Sequence, residues 1–392
     1  MDFRLADEHR MLAELVQRFV KDELLPLEAG VMAREAAGQD PALPPAERAR
    51  LDAVSRELGL WSLDAPVEEG GSAMPHVALV AVNEALGSTI ATYVLPPDSP
   101  NLRMLAATVD VRQREAYLAP YARGETISAI GISEPGAGAD PAGMRTRAVR
   151  DGEDWIINGR KIWITRAAEA DFTILMARTG AAEPGARGSG GMSAFLIDRG
   201  TPGFNVLRRI PMVGGEYTYE VALEDCRVPG WKLLGTEGQG FGPMQLRLGT
   251  RRMEMAAWCI GAAQRALDMM RDYAPQRTTF GQRLSERQAV QWWVADGATR
   301  IHACRLMALH CAWKLDEGED VRTEISMLKV YATEMAQQVI DNAMQCFGAM
   351  GMTREMPLHL LAGRVRNMRI YDGPSEVHRM VVARQLMDTR SR

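Results

Sequence analysis

The sequence has few cysteines, little excess charge and no long apolar run. Its five cysteines are scattered without CxxC spacing, so we expect no disulfide framework, and a reducing cytoplasm fits. The formal net charge of −4 gives no electrostatic reason to expect nucleic acid or an anionic membrane as a partner. No apolar run approaches the roughly 20 residues that span a bilayer. The acidic residues 1–8 also lack the apolar core of a secretion signal.

Potential metal ligands are equally sparse. His302, Cys304, His310 and Cys311 lie close together in the sequence. They fall in a stretch of helical character and match no structural-zinc spacing, and a buried cysteine commonly packs as a small hydrophobic side chain. We therefore expect no metal site.

The chain divides into three zones by the pattern of its residues. A length of 392 residues exceeds one ordinary hydrophobic core, so two or three domains are expected. Residues 1–122 have helical periodicity, residues 123–235 contain short β-prone runs between turn residues, and residues 236–392 are helical again. Strands do not alternate with helices, which disfavours a Rossmann sheet despite the glycines between 235 and 242. The pattern predicts an α+β multidomain fold.

The middle zone contains several β-prone runs separated by turn signals, as in an antiparallel sandwich or small barrel. Asn158-Gly159 lies between two of these runs and predicts a hairpin. The Gly- and Ala-rich residues 180–191 predict a mobile surface loop. In the last zone Ile325, Leu328 and Ala332 begin an apolar series typical of a bundle helix. The predicted strands cover residues 126–132, 155–157, 161–165, 172–177, 193–197 and 219–223.

Near the C-terminus, residues 369–379 (RIYDGPSEVHR) place one carboxylate, Asp372, in a Gly-Pro turn. Asp-Gly is a common turn pair, so this residue could simply begin the turn. A carboxylate held on a short turn also suits a general base, which must lie within hydrogen-bond reach of the proton that it removes.

Four further motifs precede this turn. Residues 130–140 (IGISEPGAGAD), 155–165 (WIINGRKIWIT), 277–282 (RTTFGQ) followed by Gln288, and 345–351 (QCFGAMG) lie in this order along the chain. Together with the Asp372 turn they resemble the signatures of the acyl-CoA dehydrogenase family, and the resemblance covers essentially the whole chain. It implies an N-terminal α-helical domain, a middle antiparallel β domain and a C-terminal four-helix bundle.

The same resemblance implies the chemistry. Family members bind FAD between the β domain and the bundle, and a second subunit contributes to the site. They usually form homotetramers, sometimes dimers, and pass electrons to an electron-transfer flavoprotein. The implied reaction is α,β-desaturation of an acyl-CoA thioester, in which Asp372 would take the α-proton and flavin N5 the β-hydride. The backbone N–H of Asp372 would polarise the thioester carbonyl.

Further site residues follow from the resemblance alone. Candidates for contact with substrate are Ala139, Arg252, Tyr371 and Gly373. For Arg252 a solvated helix face is the competing interpretation. Trp163 is expected at the flavin, whereas Trp155 is the better core candidate. The candidates for contact with FAD are Ile132, Ser133, Gly138, Trp163, Thr165, Arg277, Phe280, Gln288, Gln345, Phe347, Gly348 and Glu376.

The chain departs from the family pattern at several positions. Most members have Glu where this chain has Asp372, and others place the Glu on the first bundle helix, where this chain has Arg251. Glu254 lies one helical turn away and is a poor substitute. Ala139 replaces a common Ser, and Pro374 replaces a common Thr and so removes a hydroxyl and an N–H.

Two alternatives therefore stay open beside the dehydrogenase. Nitroalkane oxidases share the fold and use Asp as the base with oxygen as acceptor. A non-catalytic subunit of a hetero-oligomeric dehydrogenase would keep the fold but lose the base. The retained carboxylate and the FAD motifs argue against this second alternative.

Overall fold

The structure is a computed structural model that describes residues 6–180 and 191–387. Its N-terminal part is helical, and α1 presents Ala13, Val16 and Phe19 to the interior at helical spacing. Phe19 also contacts the Tyr93 ring. The helices of this part are α1 (Asp7–Phe19), α2 (Glu28–Ala36), α3 (Pro45–Glu57), α4 (His76–Gly87), α5 (Ser99–Ala106), α6 (Val111–Gln113) and α7 (Ala119–Ala122).

A mixed sheet follows, with β1 and β2 parallel to β4 and the remaining neighbours antiparallel. The strands run in the order β6-β7-β3-β2-β4-β5-β8, and β1 pairs with β4 beside this path. Trp155 is buried against Phe195 with an edge-to-face contact at 5.4 Å. The strands are β1 (Ser128–Gly131), β2 (Arg147–Asp151), β3 (Asp154–Ile164), β4 (Phe172–Arg178), β5 (Met192–Asp198), β6 (Phe204–Pro211), β7 (Tyr217–Val228) and β8 (Leu233–Leu234).

The C-terminal part is helical and shares one core with the N-terminal helices. Residues of α1, α4, α8, α9, α10 and α11 form a single buried apolar cluster. The apolar series from Ile325 to Val339 is buried in α10, as predicted. A two-stranded hairpin joins the first two helices of this C-terminal part. The elements are α8 (Phe241–Tyr273), β9 (Thr278–Thr279), β10 (Gln282–Arg283), α9 (Gln288–Asp316), α10 (Arg322–Phe347), α11 (Leu358–Met368) and α12 (Ser375–Met387).

The three-part architecture confirms the predicted fold class, but two details were wrong. The sheet is mixed rather than purely antiparallel. The predicted hairpin at Asn158-Gly159 is absent, because β3 continues through both residues with a bulge against β7. The Asn158 side chain pairs with the side chain and N–H of Asp225 on β7. A Cβ at Gly159 would come within 2.4 Å of Thr146. Contacts with residues distant in sequence, rather than a turn, therefore explain the Asn-Gly pair.

Several other sequence features can now be located. All five cysteines are buried and free. Within residues 6–180 and 191–387, no helix is long and apolar enough to cross a membrane. The same residues contain no group of three or more His, Cys, Asp or Glu side chains that could hold a metal ion. Most of the predicted loop at 180–191, and the first residues of the acidic N-terminus, lie outside the described residues.

Candidate active site

Asp372 lies in the tight turn between α11 and α12. Its φ is +53°, and that of the next residue, Gly373, is +98°. A positive φ is uncommon for Asp, so surrounding contacts must hold this conformation. Glycine is required at the second position, because a Cβ there would come within 2.8 Å of the His378 ring.

Three side chains fix the backbone of this turn, which we call the base turn (residues 371–374). Arg252 of α8 donates from Nε to the carbonyl of Asp372 at 2.9 Å, and His378 of α12 lies 3.3 Å from the same oxygen. Lys329 of α10 donates to the carbonyl of Gly373. The position of Asp372 is therefore set by three helices that pack against the turn.

The charge state of these supports follows from their burial. Burial, with the nearby cations Arg252 and Lys329, lowers the pKa of His378 to about 4, so this imidazole is neutral at pH 7. Its Nδ1 lies 3.1 Å from the Ser326 hydroxyl. One tautomer, with the proton on Nε2, satisfies both neighbours. Burial lowers the pKa of Lys329 to about 8, with the Asp372 charge opposing that shift.

The carboxylate of Asp372 points to a chain of polar groups that joins the three parts of the molecule. Its Oδ1 accepts from Arg247 Nη1 at 3.0 Å, and Arg247 Nε donates to Asn101 Oδ1 at 3.2 Å. Asn101 in turn donates to the Ser128 hydroxyl at 2.9 Å. The four residues belong to the base turn, α8, α5 and β1, so the carboxylate lies where the helical parts meet the sheet.

A second buried charge cluster lies one helical turn further along α8. Arg251, at the position of the alternative base, pairs with Asp98 and with Glu254 Oε2, the latter at 2.8 Å. Burial raises the pKa of Glu254 to about 7, although Arg251 opposes the shift. The pKa of Asp98 is lowered, since Arg251 outweighs the opposing effect of burial.

A cavity of about 120 Å³ lies beside this cluster. Tyr371, directly before Asp372, and Trp258 form part of a mostly apolar wall that also includes Glu254, Glu216 and Arg364. Apolar cavities of similar size hold ligands as large as benzene. The predicted substrate residues Arg252, Tyr371 and Gly373 thus surround Asp372, whereas Ala139 is exposed on the loop after β1.

The predicted flavin residues of the sheet lie together where β1 and β3 end. The carbonyl of Ile132 accepts from Lys161 Nζ, and that of Ser133 accepts from the N–H of Ile162, both at 3.0 Å. Trp163 is half-exposed at a φ of +63°, in contrast to the buried Trp155. Thr165, which directly follows β3, and Gly138, in the loop after β1, are also exposed.

A buried ion pair holds that loop on the sheet. Glu134 accepts from Lys161 Nζ and from the N–H of Thr146, both at 2.9 Å. Burial lowers the pKa of Lys161 to about 8. Burial alone would raise the pKa of Glu134, but Lys161 and the hydrogen bonds lower it.

A separate set of predicted FAD residues lies at one end of the bundle. Phe280 is wholly exposed at the tip of the β9–β10 hairpin, with a φ of +49°. Phe347, at the end of α10, stacks on Tyr273, at the end of α8, with ring centroids 4.2 Å apart. Glu376 is exposed at the start of α12. The other members of the set are also exposed, close in sequence to this hairpin or to the end of α10: Arg277, Gln288, Gln345 and Gly348.

Sequence reasoning missed Arg247, Lys329, His378 and Asn101. Arg247 lies four residues before Arg251, so a repeated arginine on one helical face was the available signal. Lys329 interrupts the apolar face of α10 and is fully buried, and a charged residue in such a face needs a buried partner. No local signal linked Asn101 or His378 to Asp372.

Comparisons with known proteins agree with this geometry. Models of the acyl-CoA dehydrogenase N-terminal, middle and C-terminal domains match residues 6–125, 129–226 and 238–387. The chain is 39% identical to (R)-benzylsuccinyl-CoA dehydrogenase of Thauera aromatica, over 99% of this chain and 97% of that protein.

Solved structures show the same fold. Butyryl-CoA dehydrogenase from Megasphaera elsdenii superposes with a TM-score of 0.89 at 28% identity, covering 99% of this chain and 100% of that one. A chain in the structure reported for the electron transferring flavoprotein of Acidaminococcus fermentans gives 0.86 at 31% identity, with the same coverage.

The chain therefore belongs to the acyl-CoA dehydrogenase family. It is an FAD-dependent oxidoreductase that acts on a CH–CH bond of acyl-CoA, which confirms the predicted enzyme class and cofactor. The described residues fit such a cofactor. Trp163 and Phe280 present exposed aromatic faces in a backbone conformation that is uncommon for bulky residues, and Arg277 offers a guanidinium of the kind that binds phosphate.

Proposed function

We propose that Asp372 is the base that removes the α-proton of an acyl-CoA thioester. The observation that carries this proposal is the base turn, in which an uncommon backbone conformation is held by Arg252, Lys329 and His378. Strain of this kind persists only where the surrounding structure enforces it, and it concentrates at active sites. The two adjacent carbonyls are engaged, while the carboxylate reaches the junction of α5, α8 and β1.

The backbone N–H of Asp372 would bind the thioester oxygen. Among the described residues, no acceptor is hydrogen-bonded to this N–H. A donor directed at the oxygen stabilises the negative charge that develops there as the α-proton leaves. The base and this donor belong to one residue, so the turn controls the position of both.

FAD supplies the acceptor for the β-hydrogen, which leaves as a hydride. The flavin would be held where β1 and β3 end, by Ile132, Ser133, Trp163 and Thr165. The exposed bundle-end set, including Arg277 and Phe280, would hold the nucleotide half of a cofactor bound to a neighbouring chain. A homotetramer or homodimer follows from this proposal, since exposed cofactor residues in one chain require a second surface.

Further properties are proposed from the comparisons. An electron-transfer flavoprotein would accept the electrons, as the structural neighbour from Acidaminococcus fermentans suggests. The Thauera aromatica relative acts on (R)-benzylsuccinyl-CoA, so substituted acyl groups belong in any substrate survey. We also place domain boundaries near residues 122 and 235, and we propose a cytoplasmic location. The domain boundaries are supported by the changes between helix and strand, and the location by the five free cysteines.

Anaerobic titration of the purified FAD-loaded protein with a panel of acyl-CoA thioesters tests the function. Bleaching of the oxidised flavin band by at least one thioester is expected. Oxygen consumption with nitroalkanes, without bleaching by any thioester, would instead favour the oxidase alternative. Bound flavin that no compound reduces would point to the non-catalytic subunit.

A further inference from the structure

Arg247 is a buried cation with unused hydrogen-bonding capacity at the proposed active site. Its side chain is only 8% exposed. Its Nε and Nη1 groups bind Asn101 and Asp372, while Nη2 has no hydrogen-bond partner among the described residues. A guanidinium can hold a carboxylate through two parallel hydrogen bonds. Arg247 therefore has room for a second anionic partner.

The other cations around Asp372 bond groups other than its carboxylate. Arg251 pairs with Asp98 and Glu254. Arg252 and Lys329 are directed to the carbonyls of the base turn. Arg247 is the cation that contacts the Asp372 carboxylate itself, and its only other described partner is the neutral amide of Asn101.

Proton removal from the substrate changes the situation of Arg247 most directly, because this cation is hydrogen-bonded to the Asp372 carboxylate. When Asp372 takes up the α-proton, its carboxylate becomes a neutral acid, and Arg247 loses the one ion pair that it makes among the described residues. A buried charge without a partner carries a large free-energy cost. An anionic group on the substrate would remove this cost at the moment when the reaction creates it.

We propose that the acyl group carries a second carboxylate, which binds Arg247 while Asp372 takes the α-proton. This inference rests on the proposed function, because it uses Asp372 as the base. Arg247 Nη1 lies 3.0 Å from the base oxygen, and a general base lies about 2.6–3.2 Å from its proton donor. The second carboxylate must therefore be close to the α-carbon, as in monothioesters of the succinyl or glutaryl type.

Matched thioesters test the inference. Glutaryl-CoA differs from pentanoyl-CoA, and succinyl-CoA from butyryl-CoA, by a carboxylate in place of the terminal methyl group. Dissociation constants are measured on the FAD-loaded Asp372→Asn protein, in which turnover is blocked and no anion competes for Arg247. We expect the carboxylated member of a pair to bind about 10- to 100-fold more tightly, as for a hydrogen-bonded charged group.

Substitution of Arg247 identifies the cause of this preference. Arg247→Met should remove it, so that the binding ratio of the pair falls by about 10- to 100-fold. Arg247→Lys should restore part of the preference, because lysine keeps the charge but not the fork. Arg271→Met changes an exposed arginine on the same helix and should leave the ratio unaltered.

The inference is overturned if the neutral thioester binds at least as well as its carboxylated partner to Asp372→Asn. It is also overturned if Arg247→Met and Arg247→Lys both retain the wild-type ratio. If Arg247→Met does not fold, the binding ratios measured for Arg247→Lys and for Asp372→Asn still test the inference. Failure of the proposed function is distinguishable, because it would show as an absence of flavin bleaching by any thioester, whatever the binding ratio.

Discussion

The base turn and the bundle-end set of FAD residues differ in how complete they are within one chain. Around Asp372, donors from α8, α10 and α12 hold the backbone, and Arg247 holds the carboxylate. At the bundle end, Phe280 is wholly exposed, and Arg277 and Gln288 are exposed as well. The proposed proton-transfer site is thus assembled by packing within one chain, whereas the residues of the proposed nucleotide site are exposed on that chain.

The largest effect is expected at the base itself. Asp372→Asn removes the proton acceptor but keeps the size of the side chain, and Arg247 and the turn can remain in place. The rate of flavin reduction by substrate should fall by about 10²- to 10⁴-fold, as measured by anaerobic stopped-flow absorbance. FAD content should stay at the wild-type level, which serves as the control. A near wild-type rate would rule out Asp372 as the base.

A smaller but still large effect is expected at a support of the base turn. Lys329→Met removes the donor to the Gly373 carbonyl, and misplacement of a reacting group by about 1 Å can cost roughly 100-fold in rate. We expect kcat to fall by about 10- to 100-fold with little change in KM. Lys21→Met, at an exposed lysine, is the control.

The pH profile separates this positioning role from a general loss of stability. Burial lowers the pKa of Lys329 to about 8, so the ammonium loses its proton as the pH rises through that value. The wild-type kcat should decline above about pH 8, since the neutral amine holds the carbonyl less strongly. Lys329→Met should lack this alkaline decline. A variant that keeps it would show that another group is responsible.

At the open end of the bundle, Phe280→Ala should weaken FAD binding. An aromatic contact contributes about 0.5–1.5 kcal/mol, so the dissociation constant should rise by roughly 2- to 10-fold, as measured by flavin fluorescence on dilution. Because the ring is fully exposed in one chain, the unfolding temperature of the apoprotein should hardly change. Met11→Ala, at another exposed apolar residue, should leave FAD affinity intact. Equal FAD loss in both variants would contradict the proposed role of Phe280.

The smallest effect concerns the pH dependence of stability. Burial raises the pKa of Glu254 to about 7 from an ordinary value of 4.5. The folded protein therefore holds this proton more tightly than the unfolded chain, and the contribution to stability is lost as the pH rises from about 4.5 to 7. The wild-type unfolding temperature should fall relative to Glu254→Gln across that window, by an amount on the order of a few degrees.

The exposed Glu57→Gln variant is the control for Glu254→Gln and should follow the wild type. A constant difference in unfolding temperature between wild type and Glu254→Gln from pH 5 to 8 would contradict the raised pKa.

Local patterns predicted part of the site well. The Asp-Gly-Pro segment predicted the turn that holds Asp372, because the residues that determine a turn are adjacent in sequence. The hairpin predicted at Asn158-Gly159 was wrong for the opposite reason. The conformation of this pair depends on Asp225 and Thr146, which only the folded sheet brings into contact with it. Arg247 and Lys329 were missed because they lie 125 and 44 residues from their partners in the base turn.

By itself the sequence determined the α, β, α order of the chain, the family and the position of the candidate base, since each depends on composition, periodicity or ordered motifs. Only the tertiary structure decided which charges meet. Arg251 pairs with Asp98 and Glu254, while Arg247 pairs with Asp372 and, among the residues that the structure describes, keeps one nitrogen without a hydrogen-bond partner. The physical reason is that burial forces each charge to find a partner, and the packing of α5, α8 and the base turn determines which partner lies within reach.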